Sequence, residues 1–83
     1  MTKIDSVAEL KRLTLDGVHD FFILLHFGIR SSKTIDYNPE KEKFEVVNES
    51  DYTEQELTEE ELFDADKTHI GEAMKKGSFY SYL

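Results

Sequence analysis

Hydrophobic and polar positions are unevenly spread along this chain. The one long apolar stretch is Phe21-Phe22-Ile23-Leu24-Leu25-His26-Phe27. It lacks the polar stripe of an amphipathic helix and is rich in Phe and Ile, so it reads as a strand buried on both faces. A buried helical segment is the alternative. A membrane-spanning helix needs about 20 apolar residues, and this run is far shorter. As a strand it puts Phe21, Ile23, Leu25 and Phe27 on one face and Phe22, Leu24 and His26 on the other.

The pattern before the run is helical. Ser6-Val7-Ala8-Glu9 has the form of a capping box, and Val7, Leu10 and Leu13 or Thr14 recur at helical spacing. Asp16-Gly17 ends that helix, with Gly17 free to take a positive φ. After the run, residues 28–32 read as a turn carrying Arg30, Ser31 and Ser32. A second strand follows over 33–37. Asn38-Pro39-Glu40-Lys41 is a turn signal, with Pro39 preset for the second position. A third strand spans 43–48, with Phe44 and Val46 on one face and Lys43, Glu45 and Val47 on the other. After a second turn at 48–51, residues 52–57 form a fourth strand, with Tyr52, Glu54 and Glu56 facing one way.

A second capping box, Thr58-Glu59-Glu60-Glu61, opens the next helix. Leu57 and Leu62 have the spacing of a hydrophobic staple around it. Residues 64–66 should break the helix. A last helix runs from 68 or 69 to 76, with Ile70, Ala73 and Met74 as its buried stripe and Gly77 past its end. The tail Phe79-Tyr80-Ser81-Tyr82-Leu83 fits an edge strand or a packed cover. The short connections predict an α+β, two-layer single domain over 1–83. Its sheet is an antiparallel meander of three to four strands, with the apolar strand central, one N-terminal helix and two C-terminal helices.

Helices can cover only one face of such a sheet. The strip of Phe22, Leu24 and His26, joined by Val47 and Tyr52, then needs another cover. The candidates are the aromatic tail, the start of the chain, or a second copy. The chain is therefore expected to be a monomer or a homodimer.

Charge changes the picture more than composition does. Net charge over 83 residues is −8, and residues 36–66 hold 13 Asp or Glu against two Lys. Gripping nucleic acid through its phosphates requires clustered Lys and Arg, so direct nucleic-acid binding is not expected. The acids could attract a basic protein partner or serve only to keep a small protein soluble. There is no Cys, hence no disulfide framework or thiolate site. The first 15 residues have no apolar stretch resembling a signal peptide, so a cytoplasmic setting is expected, without membrane attachment.

No catalytic pattern emerges. Ser31-Ser32 lacks a nucleophile-elbow context, and nothing singles out one carboxylate pair among 18 acids. His19 and His26 would lie on opposite strand faces, with His26 a core or edge histidine. Asp64-Ala65-Asp66 begins like a calcium loop, but His69 stands where Gly is needed and Lys75 where a bidentate Glu belongs. No metal, no cofactor and no enzyme activity are expected. Arg30-Ser31-Ser32-Lys33 could hold an anion in a turn, yet no phosphate-loop pattern supports it.

The acids have a sharper reading. Glu54 and Glu56 share a strand face about 6.8 Å apart. Glu45 should join them from the neighbouring strand, and Glu59 and Glu60 should continue the field at a helix start. A rigid carboxylate array can imitate a phosphate backbone and occupy a basic cleft. Tyr80 and Tyr82 are the candidate apolar contacts.

Three segments, Arg30-Ser31-Ser32-Lys33, residues 57–64, and Ile70-Gly71-Glu72-Ala73 with Gly77-Ser78-Phe79-Tyr80, resemble short uncharacterised proteins of bacterial phages, plasmids and conjugative elements. The resemblance covers about half of the chain and implies a mobile-element context, with no activity attached. The expected function is a non-catalytic protein-binding accessory module. The alternative is an acidic DNA-mimic inhibitor of a basic nucleic-acid-binding protein or nuclease.

Overall fold

A computed structural model describes residues 1–64 and 66–83. Among them the chain forms six strands and three α-helices. In order these are β1 (Thr2–Lys3), α1 (Val7–Leu15), β2 (Asp20–Leu24), β3 (Arg30–Asn38), β4 (Lys43–Asn48), β5 (Glu54–Thr58), α2 (Glu59–Phe63), α3 (His69–Lys76) and β6 (Phe79–Ser81). A short 3₁₀ turn, His26–Gly28, joins β2 to β3. All strand pairs are antiparallel, in the order β1-β6-β2-β3-β4-β5.

The α+β class and the antiparallel sheet agree with the sequence reading, but the sheet is wider than a four-stranded meander. β2 to β5 are that meander. β6 then adds to the free side of β2, and β1 closes the edge beyond it. The tail is thus an interior strand rather than an edge. Its Phe79 lies opposite Ile23, and its Ser81 opposite both Phe21 and Thr2.

Three helices cover one face. Ser6 accepts a hydrogen bond from the Glu9 N–H at 3.2 Å, which starts α1, and Gly17 at φ 91° follows its end. At α2 both halves of the capping box form, Thr58 to Glu61 and Glu61 back to Thr58. Leu57 and Leu62 both pack into the core there. The expected break begins where α2 ends, at Phe63; Ala65 lies outside the described residues. Thr68 caps α3 through the Gly71 N–H at 2.9 Å, and Gly77 at φ 72° ends it. Gly71 lets α3 approach the end of α2. A Cβ there would sit 2.8 Å from the Leu62 carbonyl oxygen.

Beneath the helices, Phe21 and Ile23 from β2, Ile35 from β3, Phe44 and Val46 from β4 and Phe79 from β6 make the sheet side of the core. Leu10, Leu62, Ile70, Ala73 and Met74 are its helical side. Each fully buried Leu, Ile or Phe contributes roughly 1.5–3 kcal/mol relative to exposure.

Two expected strands are shorter than the pattern suggested. β2 stops at Leu24, so Leu25, His26 and Phe27 are not strand residues. Residues 30–32 pair with β2 and belong to β3 rather than to a turn. β5 starts at Glu54, and Tyr52 lies in the preceding turn at φ 58°, 80% exposed.

Candidate functional site

Three surfaces carry the residues of interest. The first is the uncovered sheet face around Phe22. That side chain is fully buried although no helix lies over it. Tyr80 stacks on it at 5.4 Å between ring centroids and Tyr82 tilts against it at 4.6 Å. The Arg30 guanidinium lies 4.5 Å from the Phe22 centroid and 5.6 Å from that of Tyr82. A hydrogen bond of 2.5 Å between the Tyr82 and Ser32 hydroxyls fixes the lid. Such cation–π contacts are worth about 0.5–2 kcal/mol each. Of the second apolar strip, Phe22 is thus covered within one chain, whereas Leu24 and Val47 are half-buried and His26 and Tyr52 are exposed. Tyr80 and Tyr82 serve that cover.

The second surface is the other half of the same face. Register places Asp36, Glu45 and Glu56 directly opposite one another across β3, β4 and β5, and Glu54 opposite Val47. Like charges directly opposite in a sheet are destabilising. The row's ends are relieved: His19 Nδ1 lies 2.6 Å from Asp36, and Lys41 Nζ 3.4 Å from Glu56. Glu45 forms no ion pair among the described residues. Glu45, Glu54 and Glu56 therefore come together as the sequence indicated, with Asp36 added. Glu59 and Glu60 do not join them. Glu59 pairs with Lys11 of α1 at 3.1 Å, and both glutamates line a recess with Lys11 and Tyr37 on the helical side. That contact holds the Lys11 ammonium above its ordinary pKa.

The third surface was not anticipated. The β2–β3 hairpin closes with a bond of 2.7 Å from the Leu25 N–H to the Ile29 carbonyl. Between them His26, Phe27 and Gly28 form the loop, with Phe27 at φ 61°, ψ 24° and Gly28 at φ 75°. Phe27 is 101% exposed, Leu25 49% and Ile29 60%. A left-handed conformation costs an L-residue roughly 1–2 kcal/mol. Leaving a Phe in water forfeits about another 1.5–3 kcal/mol. Neither feature helps the chain fold. His26, expected in the core or at an edge, is exposed in this loop.

Beside the hairpin a groove of about 620 Å³ runs between β2–β3 and α3. Ile23, Leu24, Leu25, Ser31 and Lys33 line one side, and His69, Glu72, Ala73 and Lys76 the other. The Lys76 ammonium, 2.6 Å from Glu72, keeps that carboxyl below its usual range. Among the described residues no three His, Asp or Glu side chains converge as metal ligands, and no helix is long and apolar enough to cross a membrane.

Comparison with protein-family models, with curated proteins and with solved structures finds no match for this chain.

Proposed function

We propose that the chain is a non-catalytic protein-binding module that inserts the β2–β3 tip into an apolar pocket of a partner protein. One observation carries this reading: Phe27 is fully exposed, in a backbone conformation unfavourable for it, between two more exposed apolar residues. Strain of this kind clusters at functional sites. Burying three such side chains at the centre of a contact fits the pattern of interface hot spots. A net charge of −8 sets the chain against an anionic lipid surface, so a protein pocket fits the tip better. The setting we propose is a cytoplasmic accessory protein of a mobile element. The cysteine-free composition agrees with the first part and the resemblance given above supports the second.

The test is photo-crosslinking. A benzophenone analogue of phenylalanine at position 27, irradiated in the native host, should give a discrete protein adduct. The same analogue at exposed position 63 should not. No adduct at 27, or the same adducts at both positions, overturns the reading.

A second reading has its own observation. The Asp36–Glu45–Glu56 row costs stability and presents aligned carboxylates on an open face. It suits a basic partner, as an acidic mimic of DNA would. Part of the same acidity has a plainer use: β5 is an edge strand, and charged edges discourage sheet-to-sheet aggregation. Binding through this row would weaken steeply with salt, whereas binding through the tip would not.

A further inference from the structure

The helix-covered face of β3 carries a lysine among core side chains. Lys33 is 6% exposed and lies between Phe21 of β2 and Asn48 of β4 in the sheet. Its Nζ donates to Ser31 Oγ at 3.2 Å and to Asn48 Oδ1. Both acceptors are neutral. An ammonium has three N–H groups, so one remains, and no carboxylate of the described residues lies within ion-pair distance of it. Lys33 is the one charged side chain among the described residues buried to this degree. Charge buried without an opposite charge is costly, and a methionine would fill the same space without that cost.

The lysine lines the 620 Å³ groove, whose volume is in the range of small-molecule sites. Ile23, Leu25 and Ala73 make its walls partly apolar, and Ser31 Oγ stands beside the ammonium. One buried ammonium matches one negative charge. Glu72 in the lining is already paired with Lys76.

We propose that this groove binds a small organic carboxylate with an apolar body, its carboxylate held by Lys33 Nζ and Ser31 Oγ and its body lying along Ile23, Leu25 and Ala73. Burial lowers the Lys33 pKa, against a smaller opposing pull from the Asp51 carboxylate. A bound carboxylate reverses this, so binding and protonation of Lys33 are coupled.

The probe is octanoate, followed by NMR on the full chain with ¹³C-labelled lysine and methyl groups. An eight-carbon acid at roughly 0.3 kcal/mol per heavy atom gives a Kd on the order of millimolar. Octanoate should shift Lys33, Ile23, Leu25 and Ala73 and raise the Lys33 titration midpoint. Octanamide and inorganic phosphate should do neither. Lys33→Met, with its fold checked by the same spectra, should bind octanoate at least tenfold more weakly. Equal binding of octanamide, competition by phosphate, undiminished binding by Lys33→Met, or no octanoate shift at about ten times that Kd would each overturn the assignment. Leu25 belongs to both surfaces, but Phe27, which carries the protein contact, is not among the groove's lining residues, so these outcomes leave that reading to its own test.

Discussion

Phe21, Phe22 and Ile23 are buried, yet Leu25, Phe27 and Ile29, the apolar residues just after them, are exposed. The difference lies in their neighbours. Phe21, Phe22 and Ile23 each pair with β3 on one side and β6 on the other. β6 begins at Phe79, opposite Ile23, and the Leu24 N–H takes the last contact, 2.8 Å to the Ser78 carbonyl. Beyond that point the chain before β6 turns away into α3. The hairpin continues alone, with no third strand to cover it. A hydrophobic side chain is buried only where other elements reach it. The same run thus supplies an anchor for the sheet and an exposed tip.

Substitutions in the two halves should therefore behave differently. The largest effect is expected from Phe22→Ala, which empties a fully buried site and strips the stacking from Tyr80, Tyr82 and Arg30. Urea unfolding should show a loss of about 3–5 kcal/mol. Phe27→Ala should change stability by less than about 0.5 kcal/mol, as for exposed sites. Phe27→Gly should leave it unchanged or raise it by up to about 1 kcal/mol, because glycine tolerates the positive φ. A loss above that of a surface site for either Phe27 variant would mean the tip is packed.

Gly71→Ala comes next. Its Cβ would press on backbone of residues 62–64, and overpacking of this kind costs about 1–3 kcal/mol. Thr58→Ala removes the cap of α2 and should cost about 1 kcal/mol. Both are read by thermal or urea unfolding.

pH separates two smaller terms. Hydrogen bonds from the Thr58 backbone N–H and side chain depress the Glu61 carboxyl pKa. The unfolded chain then binds more protons in the acid range, so this stabilisation is present above the ordinary glutamate pKa and lost as pH falls through the depressed value. Glu61→Gln should flatten that part of the profile. Lys33 works at the other end. Its folded pKa lies below 10.5, so between the two values the unfolded chain again holds more protons, and stability rises with pH through that window. Lys33→Met should abolish the rise. A wild-type profile flat in both ranges would contradict both assignments.

Much of this arrangement was legible in the sequence. Ser6 and Thr58 cap helices where the pattern placed them, and Gly17 and Gly77 follow helix ends at positive φ. The acids of β4 and β5 share a face because strand alternation requires it. Three things were hidden. The split of the apolar run depends on where β6 starts, which is a long-range pairing. Phe27 and Tyr52 adopt a left-handed conformation that glycine usually signals, and neither is glycine. The burial of Lys33 follows from register with Asn48 and Phe21, whereas a lysine at the first position of an expected strand, next to a polar turn, reads as surface. An expected cluster also dispersed: Glu59 and Glu60 begin α2, which packs on the helical side, so adjacency in sequence to β5 did not carry them onto its open face.

The central claim is that the tip binds and the strand folds. It is tested most directly by affinity capture from the native host with three forms of the chain at low and high salt: wild type, Phe27→Ser, and Glu45→Gln/Glu54→Gln/Glu56→Gln. The account predicts one protein retained by wild type and by the triple glutamine variant at both salt concentrations, and lost with Phe27→Ser, whose unfolding midpoint stays at the wild-type value. Retention that survives Phe27→Ser but disappears at high salt or with the glutamine variant would contradict it and place the contact on the carboxylate row.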